Sequence, residues 1–262
     1  MKDKKKTCEV RLTRRQALRL GGILVASSWM GPNLAWGEAE TREGRGIVVA
    51  LEGSAWVDGR KARLGESVLE GEVVRGSPEA SLVLRFTDNS LVKLKGEFEF
   101  LVDSGKSSSV WALIKGGLLA IVTRGSRYSL ATPTAVLGIR GTVFYYEVIR
   151  RKTLSRASGA VIPVMGKVPS PPPDATEYLC LCNGQVVPSS PTIDRGKEIV
   201  SQYHNSFFVY PEREGLKLVS AFLWNHTDRE ILDLAKHQEQ PRHDMEWIYR
   251  AWRERGEKPG SY

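Results

Sequence analysis

From Gly46 to Val148, short β-branched, aromatic and aliphatic runs alternate with glycine and polar turn residues at roughly eight to twelve positions, the signature of a mainly β architecture. The clearest hairpin runs Ala80 to Phe86, turns through Thr87-Asp88-Asn89-Ser90 and returns as Leu91 to Leu94. Period two places Leu82, Leu84 and Phe86 on one face and Ser81, Val83 and Arg85 on the other. Asp88 and Asn89 tolerate left-handed turn geometry, so Asp88 reads as a turn residue and not as a catalytic carboxylate.

Ser109 to Ile114, the Gly116-Gly117 break and Leu118 to Val122 predict a second strand pair. No Lys-Ser/Thr and no helix signal follows those glycines, so they read as a turn or bulge rather than a phosphate cradle. The stretch from Tyr128 to Val148 is again strand-like. Within it Pro133 pushes Thr132 toward extended geometry, while Gly138 and Gly141 allow tight turning or close approach on either side of Ile139. Arg140 is the strong donor there; a half-buried guanidinium satisfying turn carbonyls or a carboxylate is expected, with ligand binding as the competing reading.

Residues 150–175 lose the strand pattern and end in the stiff run Pro169-Ser170-Pro171-Pro172-Pro173-Asp174, an excursion within a β domain spanning 44–190. Strand pattern resumes at Thr176 to Cys182, and Asn183-Gly184 predicts a hairpin returning as Gln185 to Val187. An extension over 191–262 begins with a mixed segment and ends in two helices. Thr227 and Glu230 form a capping box ahead of Ile231, Leu232 and Leu234, and Pro241 opens a second helix carrying Met245, Ile248 and Trp252 at helical spacing. Trp247 and Trp252 read as core or docking residues, with the helices covering an edge or face of the sheet.

The formal charge of +8 changes this picture little, because eight of the 38 basic residues and two of the 30 acidic ones lie in the first 37 positions. The remainder carries 30 basic and 28 acidic side chains, so nucleic acid is not an expected partner. Residues 1–39 read as an export signal: a basic start, an apolar stretch from Leu20 to Met30 and a small-residue region around Ala35 to Ala39. The apolar stretch falls short of the about 20 residues of a membrane span, so no permanent span is expected after cleavage. Arg14 and Arg15, within Thr13 to Arg19, resemble a twin-arginine motif, which predicts a periplasmic or otherwise exported product.

Thr132-Pro133, Ala135-Val136, Gly138-Ile139-Arg140-Gly141-Thr142 and the aromatic strand that follows resemble the signature of the FecR domain of bacterial envelope proteins. Upstream, Gly65 to Val74 and Phe86-Thr87-Asp88-Asn89-Ser90 resemble two further family segments, with Asn89 where the family has glycine. The resemblance covers about residues 44 to 190 and marks Thr132, Pro133, Gly138, Arg140, Gly141 and Thr142 as signature positions. It implies a FecR-type β-sandwich or roll of short strands with a small two-helix C-terminal tail. It also implies a non-catalytic binding or interaction module in envelope sensing or assembly, with an envelope protein as partner. FecR regulators combine a cytoplasmic sigma-factor-binding segment, one membrane helix and a periplasmic domain; an N-terminus that reads as a signal departs from that plan. Tyr178 to Gly184 and Asn225-His226-Thr227-Asp228 resemble a recurring extension of some FecR-domain proteins.

No Ser/His/Asp arrangement, nucleophile elbow, phosphate-binding loop or zinc-protease helix stands in the sequence, and its four histidines are His204, His226, His237 and His243, so an enzyme is not expected. Cys8 lies within the signal, leaving Cys180 and Cys182. On a strand, residues two apart share a face with Cα atoms about 6.5–7 Å apart, the outer limit for a disulfide. No cofactor is expected on the interaction-module reading. The alternative is a metal or redox site in which Cys180, Cys182, His204 and His226 hold zinc or another transition metal; inert buried thiols and a strained disulfide remain open.

Overall fold

A computed structural model describes residues 44–105, 108–149, 176–190, 196–213, 215–239 and 245–256. The signal with Arg14 and Arg15, the Pro-rich excursion at 150–175 and Pro241 lie outside them.

Among the described residues the alternating runs form fourteen strands of one open sheet. They are β1 (Gly44–Glu52), β2 (Ala55–Val57), β3 (Arg60–Lys61), β4 (Ser67–Leu69), β5 (Val73–Gly76), β6 (Ser81–Phe86), β7 (Leu91–Gly105), β8 (Ser108–Ile121), β9 (Arg127–Ala131), β10 (Val136–Val148), β11 (Glu177–Ser189), β12 (Ile199–Ser201), β13 (Asn205–Glu212) and β14 (Gly215–Ser220). The main path runs β14-β13-β11-β10-β9-β8-β7-β5-β2-β3, with β1, β4, β6 and β12 paired alongside. Two helices follow, α1 (Asp228–Ala235) and α2 (Glu246–Arg255). The expected mainly β class with a two-helix tail is what the chain adopts.

Alternation sorts the side chains into two buried clusters. Leu82, Leu84 and Phe86 join Trp111, Leu130, Phe144 and Leu179 in the larger. Val83 points the other way and joins Tyr145, Tyr178, Cys180, Cys182 and the apolar faces of both helices. The smaller cluster therefore lies between the sheet and the helices, whose Ile231, Leu234, Trp247, Ile248 and Trp252 are all buried. At 8 and 10 residues, both helices are below the about 12–15 residues at which an isolated helix becomes even marginally stable, so packing on the sheet has to hold them.

Local chemistry sets the helix ends. Thr227 caps α1 by accepting from the Glu230 N–H at 3.2 Å. Glu230 does not complete the box; its carboxylate turns to Lys93 Nζ (2.8 Å) and Lys95 Nζ (2.9 Å) on β7 and binds α1 to the sheet. Gly256, with φ of 69°, closes α2 in a left-handed cap.

At Gly116-Gly117 the expected bulge forms within one strand instead of a break between two, and Asn183-Gly184 does not close the expected hairpin. β8 runs straight through Gly116-Gly117; Gly116 sits at φ 88°, and a Cβ there would lie 2.8 Å from Phe98 Cα. The glycine lets one long strand bend past β7 where the register slips between Lys95 and Glu99. β11 likewise continues through Asn183-Gly184, because β10 offers partners on both sides: Gln185 to Ser189 pair with Val136 to Arg140, and Glu177 to Asn183 with Val143 to Val148. Arg140 is exposed, not half-buried. Its neighbour Ile139 is buried, so strand alternation turns Arg140 outward. The mixed segment after residue 191 supplies β12 to β14, extending the same sheet.

Candidate functional site

Cys180 and Cys182 stand two apart on β11, so both project from the face covered by the helices, fully buried, with sulfurs 3.9 Å apart. His204 precedes β13 in a left-handed conformation (φ 31°), and its backbone N–H donates to Cys182 O at 3.0 Å. That strained turn brings its Nδ1 to 3.3 Å from Cys180 Sγ. His226 lies between β14 and the cap of α1, with Nε2 at 3.5 Å from Cys182 Sγ and its ring stacked on Tyr145 at 4.7 Å. The four ligand atoms all lie within 4.8 Å of one another. The structure thus brings together the four residues singled out from sequence.

Each histidine is anchored through its other nitrogen. His204 Nε2 donates to Asp228 Oδ1 at 2.7 Å, and His226 Nδ1 donates to Trp224 O at 2.9 Å. Carboxylate and carbonyl can only accept, so in the neutral rings the lone pairs point at the sulfurs. Asp228 is itself held by Tyr203 OH at 2.7 Å and Trp252 Nε1 at 2.6 Å.

The charge balance follows from these contacts. Burial disfavours the Cys180 thiolate, but hydrogen bonds from Cys182, His204 and His226 outweigh it and hold the thiol well below its ordinary range. Burial and the neighbouring Cys180 push Cys182 well up. For His204 burial is outweighed by Asp228 and Cys180, raising it to about 9. Hydrogen bonds from His204, Tyr203 and Trp252 overcome burial to keep Asp228 low. In a cluster free of metal these contacts favour the thiolate at Cys180, the imidazolium at His204 and the carboxylate at Asp228. Cys180, His204 and Asp228 stand in the order of nucleophile, base and orienting acid. Cys180 nevertheless has no accessible surface to offer a substrate.

The FecR-like signature positions make a different structure. Thr132 Oγ1 donates to Glu177 Oε2 at 2.8 Å, Thr134 N–H to Glu177 Oε1 at 3.0 Å, and Tyr146 OH to Glu177 Oε2 at 2.5 Å. The Thr132-Pro133-Thr134 segment is thus a cradle around a buried carboxylate. Burial outweighs these bonds, so Glu177 is raised above the ordinary carboxylate value. Thr142, also buried, donates to Gln185 O at 2.7 Å across the β10–β11 seam beside Gly141 (φ 55°). Pro133 and Gly138 are exposed. Sequence reasoning did not single out Glu177 or Asp228 as site residues. A carboxylate opening an apolar strand, and one directly after a helix cap, were the available signals.

Residues 72–162 match the family model described as FecR protein, a stretch that contains β5 to β10 and the Thr132 to Thr142 segment. No curated protein matches the chain. Among solved structures, a candidate anti-sigma factor from Parabacteroides distasonis is 11% identical, with 56% of this chain and 59% of that chain covered and a TM-score of 0.40. The match therefore spans under two thirds of that neighbour's length. The match takes in 91 of the 262 residues, and over that stretch this chain is similar to the FecR family.

Proposed function

We propose that this protein is an exported, periplasmic FecR-domain protein acting as a non-catalytic binding or interaction module in envelope sensing or assembly. The family match over residues 72–162 is the observation that carries this reading. The N-terminal signal with Arg14 and Arg15 supports export, and among the described residues no helix is long and apolar enough to cross a membrane. The partner is an envelope protein.

The test follows the native protein. Fractionation is expected to place a processed form in the periplasm, and replacing Arg14 and Arg15 by lysine to leave an unprocessed cytoplasmic form. Photocrosslinkers at the exposed Leu64, Val200 and Tyr249 are expected to give a discrete adduct with an envelope protein. A processed protein that stays in the cytosol, or that turns over small substrates with Cys180 alkylated in step with loss of rate, overturns the proposal.

A second reading, metal binding, is favoured by one specific observation, the convergence of two thiols and two imidazoles on one buried point.

A further inference from the structure

We propose that Cys180, Cys182, His204 and His226 form a mononuclear tetrahedral zinc site that fastens the C-terminal extension to the FecR-like sheet. The spacing of the four ligand atoms matches zinc. Zinc–sulfur bonds of about 2.3 Å and zinc–nitrogen bonds of about 2.0–2.1 Å at tetrahedral angles set two sulfurs about 3.8 Å apart and a sulfur about 3.6 Å from a nitrogen. The fold holds the sulfurs 3.9 Å apart and the two sulfur–nitrogen pairs at 3.3 and 3.5 Å. A cluster with cysteines on one iron and histidines on another spreads the two ligand pairs further than the 4.8 Å that encloses all four atoms here.

The groups behind the histidines match it as well. Metal-bound histidines almost always donate their remaining N–H to a carboxylate or carbonyl, which fixes tautomer and ring orientation. His204 does so to Asp228 and His226 to Trp224 O. A disulfide would have to draw the sulfurs together to about 2.05 Å and would leave two anchored imidazole lone pairs facing no cation. Four protein donors and full burial of both cysteines close the site, which makes it structural rather than catalytic.

The ion would tie together three separate segments. Its ligands come from β11, from the turn before β13 and from the segment entering α1. Those are the places where the extension meets the sheet, and the helices beyond are too short to hold themselves.

The test is a cobalt titration of the processed, reduced full-length protein after chelator stripping. Expected is a thiolate-to-cobalt charge-transfer band with tetrahedral visible bands saturating at about one equivalent and bleached by zinc. Zinc should raise the thermal midpoint and chelator lower it. Asp228→Asn, a positioning change, should lower zinc affinity about 10- to 100-fold while keeping the tetrahedral spectrum. Cys180→Ser and His226→Gln should abolish the four-ligand spectrum. Ligand substitutions in a buried cluster can unfold the tail, so the wild-type titration carries the test by itself. No cobalt spectrum with both thiols reduced overturns the proposal, as does an oxidised Cys180–Cys182 pair in freshly isolated protein, iron–sulfur absorption, or rapid alkylation of Cys180 in the folded, zinc-loaded protein.

Discussion

The indole Nε1 of Trp252 donates to Asp228 Oδ2 at 2.6 Å, and through this bond α2 reaches the Cys/His cluster by way of α1 and His204. Asp228 also accepts from Tyr203 OH, which in turn accepts from Arg255 Nη2 at 2.6 Å. The carboxylate, on the first turn of α1, is thereby satisfied from α2 and from the segment before β13, and its position decides where the His204 lone pair points.

Trp252→Phe keeps most of the buried ring and removes the donor. A hydrogen bond to a charged group contributes about 1.5–3 kcal/mol, so denaturant unfolding should show a loss of about that size. Zinc affinity should fall in the same variant. Unchanged stability would mean that Asp228 is held adequately by Tyr203 and His204 alone.

Glu177→Gln tests the cradle made by the FecR-like signature. Burial raises Glu177, so between the ordinary carboxylate value and its raised value the folded protein keeps a proton that the unfolded chain has lost. Its contribution therefore falls as pH rises through that window, opposite to a salt-bridged carboxylate. The variant should lose this component of the pH dependence in thermal unfolding. It should also lose about 1–3 kcal/mol at acidic pH, because an amide cannot accept from Thr132, Thr134 and Tyr146 together. A pH profile parallel to wild type would refute the assignment.

Glu230 carries the reverse sign. Burial would raise it, but Lys95 and Lys93 outweigh that and lower it. Its stabilisation is present above the ordinary carboxylate value and is lost as pH falls through the lowered one. Glu230→Gln should cost about 1–3 kcal/mol near neutral pH, between the values for exposed and buried pairs, and little below the lowered value. Hydrogen exchange should show the loss first in α1.

Gly184→Ala tests the continuous strand. At φ 109°, with a new Cβ 3.0 Å from Gly141 O, alanine is strained whatever the space, and a cost of about 1–3 kcal/mol is expected. If Asn183-Gly184 instead closed an independent hairpin, alanine at this position would leave the β10–β11 amides as protected as in wild type.

Alternation by itself determined the β class, the division of Leu82, Leu84 and Phe86 from Val83, the Asp88-Asn89 turn and the pairing of Cys180 with Cys182 on one face. Those features depend on residues within a few positions of one another, and a period of two reports them directly. Thr227 was likewise legible as a cap because it bonds only three residues ahead. Tertiary structure decided whether a glycine reverses a strand or bends it. Gly116 and Gly184 supply the same backbone freedom in either case, and the presence of long partners in β7 and β10 selects the bend. It also decided the burial of Glu177, the exposure of Arg140 and the distance from Cys180 to His204. Each is set by which strand lies alongside, a long-range outcome of assembling one sheet that no local spacing encodes.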